Sequence, residues 1–341
     1  MPQTDLPLAE LRAYRPALAV PGDLRAFWSA SLDEARAGAR AATFSLVDSG
    51  LSLISTFDVS FAGFGGTAVR AWLHLPAGAS GTLPAVVEYI GYGGGRGLAH
   101  ERVMWAAAGY AHLVMDSRGQ GSTWSVGDTP DPDPVGAPNH PGFTTRGILD
   151  PATYYYRRLY VDAARAVDVV RSHPAVDPGR VAVTGGSQGG ALAIAAASLV
   201  PGLLGALPDV PFMSDLPRSI TIADADPYAE ITRYLKVHRD HADQALRTLA
   251  YFDVAILGRW ATAPAIFSVG LMDLVCPPST VYAAFNWYGG PKEIREYPFN
   301  DHEGGEGFHD VAKLRWLKAR QGGRPRRGPL PGRGRSGHRP G

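Results

Sequence analysis

The sequence predicts an α/β protein built on a mostly parallel central sheet with helices on both faces. Three observations predict it. Short apolar runs recur along the chain: LPAVVEYIGYGGG from Leu83, GYAHLVMDSRG from Gly109, GRVAVTGGSQGG from Gly179 and APAIFSVGLMD from Ala263. Helical stretches such as YVDAARAVDVVRS from Tyr160 stand between them, and that alternation is the mark of parallel strands joined by crossover helices. Each run ends in glycine or in a side chain able to do chemistry, as expected where ligands bind beyond the carboxyl ends of parallel strands.

Taken in order, residues 23–41, DLRAFWSASLDEARAGARA, carry helical spacing with acids and arginines on one face, so an N-terminal helix precedes the sheet. FSLVDSG from Phe44, LISTFDVSFAG from Leu53 and AVRAWLHLP from Ala68 alternate as strands do, and FGG at 64–66 reads as the turn between the last two. The four apolar runs follow, and EIREYPFN from Glu293 adds a final strand. Residues 123–156 and the helical block near 214–255 read as excursions from the sheet, placed to cap a site or meet another subunit. The foldable domain is expected over 1–318. Residues 319–341 hold one leucine and no other large apolar side chain, so this Arg/Gly/Pro-rich tail is expected to be disordered.

Composition narrows the function. The net charge is +1, but seven arginines and no acid lie in 320–341, leaving 26 basic against 32 acidic residues, about −6, in the remainder. A mildly acidic body gives no reason to expect nucleic acid as a partner. The start, MPQTDLPLAELRAYRP, lacks a basic segment followed by an apolar one, and no apolar run reaches membrane-spanning length, so no membrane association and a cytoplasmic location are expected. The one cysteine, Cys276, rules out a disulfide within the chain.

Gly185, Ser187 and Gly189 fit G-x-S-x-G at a strand-to-helix corner. Glycines there let neighbouring backbone approach a strained turn that leaves the serine hydroxyl exposed. A serine needs a base, and the base needs an orienting carboxylate. In the α/β-hydrolase architecture these follow in the order serine, acid, histidine. Asp273 stands after the run from Ala263, and His302 stands in a glycine-rich loop after the last strand. Asp301 and Glu303, beside the histidine, are expected to shape its loop rather than orient its ring. One oxyanion donor is expected from the backbone N–H of Gln188 and a second from Tyr92, in the glycine loop 89–97. That loop lacks the G-K-[ST] and dinucleotide spacings, so a phosphate cradle is not expected. In DSRGQGSTW, Arg118, Gly119 and Gln120 read as structural, the guanidinium tethering loops beneath the site. Tyr92, Trp105 and Phe212 are candidates for the walls of a small acyl pocket.

RGQ at 118–120, GGSQGG at 185–190 and HE at 302–303, supported by GYGGGRG, GDTPDP, TRGILDPATYYYRRLYVDAARAV, LMDLVCPPSTVYAAFNWYGGPKEI and YPFNDHEGG, resemble carbohydrate esterase family seven, the acetyl xylan esterases and cephalosporin C deacetylases. The resemblance covers about residues 8–318. It implies an α/β-hydrolase fold with Ser187 as nucleophile, His302 as base, Asp273 as its orienter, and Tyr92 and Gln188 as oxyanion donors. It further implies removal of acetyl groups from small esters, including xylo-oligosaccharide acetates and the acetoxymethyl arm of cephalosporins, without metal or organic cofactor, and assembly into a ring-like hexamer. A peptidase or acylaminoacyl hydrolase of the same fold, and a catalytically inactive binding module, are the alternatives.

Overall fold

The computed structural model describes residues 3–131 and 141–321. Nine strands form one sheet: β1 (Thr43–Val47), β2 (Ile54–Ala62), β3 (Ala68–Pro76), β4 (Leu83–Tyr89), β5 (Ala111–Met115), β6 (Val176–Gly186), β7 (Gly205–Asp209), β8 (Ala265–Gly270) and β9 (Lys292–Tyr297). Their spatial order is β1-β2-β3-β5-β4-β6-β7-β8-β9. The first three strands run antiparallel, β3 pairs antiparallel with β5, and every pair from β5 to β9 is parallel. The expectation of a mostly parallel sheet holds, with the alternating runs before Pro76 supplying the antiparallel flank.

Two short N-terminal helices, α1 (Leu8–Ala13) and α2 (Leu24–Ala37), precede the sheet. The second ends at Ala37 with Gly38 as its C-cap, four residues short of the stretch predicted to be helical. The helices between and after the strands are α3 (Met104–Ala107), α4 (Tyr155–Ser172), α5 (Gln188–Leu199), α6 (Leu216–Ile222), α7 (Tyr228–Val237), α8 (Ala242–Leu249), α9 (Val254–Leu257), α10 (Pro278–Trp287) and α11 (Glu306–Gln321). Helices α6 to α9 make up the block expected near 214–255. The alanine-rich α5 is buried from Gln188 to Ala197, because small side chains let it lie directly on the sheet with α4 packed beside it. Trp28 of α2 stacks on Tyr160 of α4 at 5.7 Å, fixing the N-terminal extension to the same core.

Two features depart from expectation. Strand β7, GALPD, was not foreseen, since it has no β-branched residue and a proline that removes a ladder donor. Helix α11 continues to Gln321, three residues beyond the expected end of the domain at 318. The rest of the tail, 322–341, lies outside the described residues. Among the described residues no helix is long and apolar enough to cross a membrane.

The sheet also carries a buried pair of histidines. His74 on β3 is in register with His112 on β5, their rings 5.8 Å apart, and His74 Nδ1 contacts the Thr56 hydroxyl at 3.0 Å. Burial, and then the neighbouring His112, depress the His74 imidazole from 6.5 to about 3, the Glu88 carboxylate opposing them. Above pH 6.5 both folded and unfolded chains hold it neutral. As pH falls from 6.5 towards 3 only the unfolded chain takes the proton, so stability declines across that window by about 1 kcal/mol per pH unit. Urea melts at pH 7 and pH 4.5 are expected to show a smaller acid loss for His74→Gln, and equal losses in both proteins would remove His74 from the account.

Candidate active site

Ser187 occupies the single-residue corner between β6 and α5, at φ +56° and ψ −116°. A non-glycine residue held there is strained by about 1–3 kcal/mol. Three backbone hydrogen bonds hold it: the Ser187 N–H donates to the Asp209 carbonyl at 2.9 Å, and its carbonyl accepts from the N–H groups of Phe212 and Ala191 at 3.0 Å each. The flanking glycines are steric necessities. A Cβ at Gly189 would collide with the Tyr89 carbonyl, and one at Gly185 with the backbone of Gly189. The start of α5 crosses the ends of β4 and β6 too closely for side chains at either position.

Asp273 lies in the loop after β8 with its carboxylate buried. Its Oδ1 accepts the N–H groups of Val275 and Cys276, each at 2.8 Å, and its Oδ2 lies 2.9 Å from His302 Nδ1. Because an ionised carboxylate only accepts, Nδ1 carries the ring proton and Nε2 is left as the acceptor. Ser187 and His302 line one cavity of about 530 Å³ together with Tyr92, Trp124, Pro227 and Val275. The neighbouring acids bond within the loop rather than to the ring: Glu303, which also lines the cavity, accepts from the Asn300 amide at 2.7 Å and the Asp301 N–H at 3.0 Å, and Asp301 Oδ1 accepts the Leu274 N–H at 3.4 Å. Cys276 contacts the Ser187 side chain, but burial pushes its thiol well above the usual range. It stays protonated and offers no competing thiolate.

The two candidate oxyanion donors lie on the loop after β4 and at the first residue of α5. Among the described residues neither the Tyr92 N–H nor the Gln188 N–H is engaged by another group of the chain. A buried amide pair holds their two segments in register. Gln120 Nε2 donates to Gln188 Oε1 at 2.9 Å, Gln188 Nε2 donates to Gln120 Oε1 at 3.2 Å, and Gln120 Oε1 also accepts the Gly93 N–H at 2.7 Å. Gln188 reaches the carbonyl of Ile90 as well, at 3.1 Å. Beside this pair Arg118 is wholly buried, its Nε and Nη2 on the two Asp162 oxygens at 2.5 and 2.8 Å and its Nη1 3.4 Å from Asp131. Gly119 supplies a φ of +70° at the turn between them.

Two expected pocket residues are elsewhere. Trp105 packs edge-on to Tyr110 in a separate apolar cluster with Val86 and Leu207, where it borders a cavity of about 280 Å³ with Glu88, Arg102 and Lys313. It sits on α3, and that cavity reaches Gly185 and Gly186 without including Ser187 or His302. Phe212 is fully buried against Tyr228, ring centroids 4.4 Å apart, and supports Ser187 through its backbone without lining the cavity. Trp124, Pro227 and Val275 line that cavity with Tyr92 instead. Trp124 was within reach of sequence reasoning as the aromatic end of DSRGQGSTW, whereas Pro227 and Val275 stand out only once the chain is folded. A cavity of equal volume between residues 17–22 and α6, α8 and α9 has an apolar lining that includes neither Ser187 nor His302.

Known proteins match this architecture closely. An acetyl xylan esterase from Paenibacillus sp. R4 is 40% identical with a TM-score of 0.86, over 92% of this chain and 99% of that one. Acetyl xylan esterase 1 from Thermoanaerobacterium sp. JW/SL YS485 is 32% identical with a TM-score of 0.84 and the same coverage. The acylaminoacyl peptidase of Pyrococcus horikoshii, 14% identical with a TM-score of 0.55 over 79% of this chain and 41% of that one, shares the fold. The acetyl esterase Axe7A of Xylanibacter ruminicola is 35% identical over 161 residues, 47% of this chain, and that match spans only 36% of Axe7A. The acetyl xylan esterase (AXE1) family model matches residues 1–320, and the chain belongs to that family.

Proposed function

We propose that the chain is a serine esterase that removes acetyl groups from small acetate esters, with acetylated xylo-oligosaccharides and the acetoxymethyl arm of cephalosporins as the substrate class. The observation that carries this reading is the oriented Asp273–His302 pair opening on the same cavity as the strained Ser187. His302 Nε2 takes the Ser187 proton as Oγ attacks the acetyl carbonyl, and Asp273 stabilises the imidazolium that forms. The N–H groups of Tyr92 and Gln188 receive the charge developing on the carbonyl oxygen. The imidazolium then protonates the departing alkoxide, leaving an acetyl ester on Ser187. Water, deprotonated by His302, releases acetate and restores the serine.

The acyl portion meets the rings of Tyr92 and Trp124 together with Pro227 and Val275, which line the cavity beside Ser187. Hydrolysis of p-nitrophenyl esters is expected to fall about tenfold or more in kcat/KM from acetate to butyrate, since overfilling a packed pocket costs transition-state energy. A flat or rising profile would contradict the acetyl reading. Faster cleavage of aminoacyl anilides than of acetate would favour a peptidase, and inertness on both panels a binding module.

A further inference from the structure

Tyr92 enters the proposed mechanism only through its backbone, yet its side chain is the best-anchored wall of the cavity. The hydroxyl lies 2.6 and 2.7 Å from the two carboxylate oxygens of Glu230 on α7, and it accepts the N–H groups of Gly142 and Phe143 at 3.1 and 2.9 Å. One donated and two accepted bonds use every site a phenol hydroxyl has. Glu230 Oε2 accepts in addition the Thr144 hydroxyl at 2.5 Å and the Thr144 N–H at 3.3 Å. This carboxylate is buried, and among the described residues it makes no ion pair with Lys, Arg or His. Its partners are neutral donors on two separate segments. Three segments next to the site therefore converge on one carboxylate: the loop that presents the Tyr92 N–H, residues 142–144 directly after the cavity-lining Pro141, and helix α7, which begins directly after Pro227. The Tyr92 main chain is held from the other side, where Trp124 Nε1 donates to its carbonyl at 2.8 Å.

We propose that Glu230 is a positioning residue for deacetylation that acts through the Tyr92 hydroxyl, pinning the Tyr92 ring so that the cavity admits acetyl but not longer acyl groups and its N–H stays aimed at the oxyanion. This inference rests on the esterase reading. A carboxylate suits the place because it accepts several donors at once. Glutamine keeps one oxygen for Tyr92 but presents an NH₂ to hydroxyls that must then turn, and leucine keeps neither bond. A ring freed by even a fraction of an ångström both widens the acyl pocket and misplaces the donor.

The test measures kcat and KM on p-nitrophenyl acetate and butyrate for the full-length chain and its Glu230→Leu, Glu230→Gln, Tyr92→Phe and Glu230→Leu/Tyr92→Phe variants. Glu230→Leu and Tyr92→Phe are each expected to lower kcat on acetate about tenfold with KM changed much less. Each should raise the butyrate-to-acetate ratio of kcat/KM about tenfold. Glu230→Gln should fall between wild type and Glu230→Leu. The double variant should be no worse than either single one, because both remove the same tether. Additive losses, or an unchanged ratio in Tyr92→Phe, which deletes one oxygen and no packing, would overturn the inference while leaving the esterase reading intact. A wild-type protein inert towards acetate esters would overturn the esterase reading and this inference with it.

Discussion

Ser187→Ala is expected to reduce kcat on p-nitrophenyl acetate by about 10⁴-fold or more, while the thermal midpoint moves little. The expected loss corresponds to about 5.5 kcal/mol of transition-state stabilisation. It is large because Cys276, the thiol beside Ser187, is buried and held neutral and so cannot take over the acyl group. The fold should survive, since alanine keeps the Cβ at the strained corner, and the bonds that hold the corner are all main-chain ones to Asp209, Phe212 and Ala191. His302→Ala should cost a comparable factor, and the double variant little more than either, because the groups act as a unit. Turnover within tenfold of wild type in purified Ser187→Ala, free of contaminating esterase, would rule out acyl transfer through this serine.

How much of this site a reader of the bare sequence can find depends on whether the reason for each residue is local. The glycines around Ser187 were legible because the crossing of α5 over β4 and β6 leaves no room for a Cβ, a constraint written into five consecutive residues. Asp273 and His302 were legible through chain order, which the parallel topology enforces by bringing successive strand ends to one edge. The central apolar runs gave the strands for the same reason. Strand β7 was not legible, since GALPD reads as a turn and becomes a strand only by filling the gap between β6 and β8. Trp105 packs in a separate cluster from the one behind Tyr92, and Phe212 lies beneath the cavity wall, against Tyr92 and Tyr228; neither placement shows in the residues next to them in sequence. Glu230 had no local signal at all. Its position on α7 looks like an ordinary helical acid until the excursion 214–255 folds over the glycine loop and buries it against Tyr92.

Arg118→Met is expected to destabilise the protein by about 3–5 kcal/mol, the usual cost of removing one partner from a buried ion pair. Arg118 and Asp162 are both wholly buried, and the guanidinium meets that carboxylate with two nitrogens. Asp131, its other acidic partner, retains Arg158 at 2.6 and 3.0 Å, so the variant strands one carboxylate rather than two. Among the described residues Asp162 then keeps only the Phe64 N–H, at 2.8 Å. Burial already raises its carboxyl above 3.8, with Arg118 as the main opposing influence, and losing the arginine raises it further. The pH dependence follows from that sign. Below the raised folded pKa and above about 3.8 the folded variant binds a proton that the unfolded chain does not, so the deficit against wild type should shrink as pH falls from 7 towards 5. Arg118→Met/Asp162→Asn, with no charge left to bury, should recover part of the loss at pH 7. Paired denaturation curves at pH 7 and pH 5 read both effects. A deficit below about 1 kcal/mol at pH 7, or one that grows on acidification, would show that Arg118 is not what compensates the buried charge beneath the site. Gln120, two residues on, makes its bonds to Gly93, Tyr155 and Gln188 independently of the guanidinium. The activity of folded Arg118→Met is therefore expected to stay within severalfold of wild type, which separates a residue that holds the fold from those that hold the reacting groups.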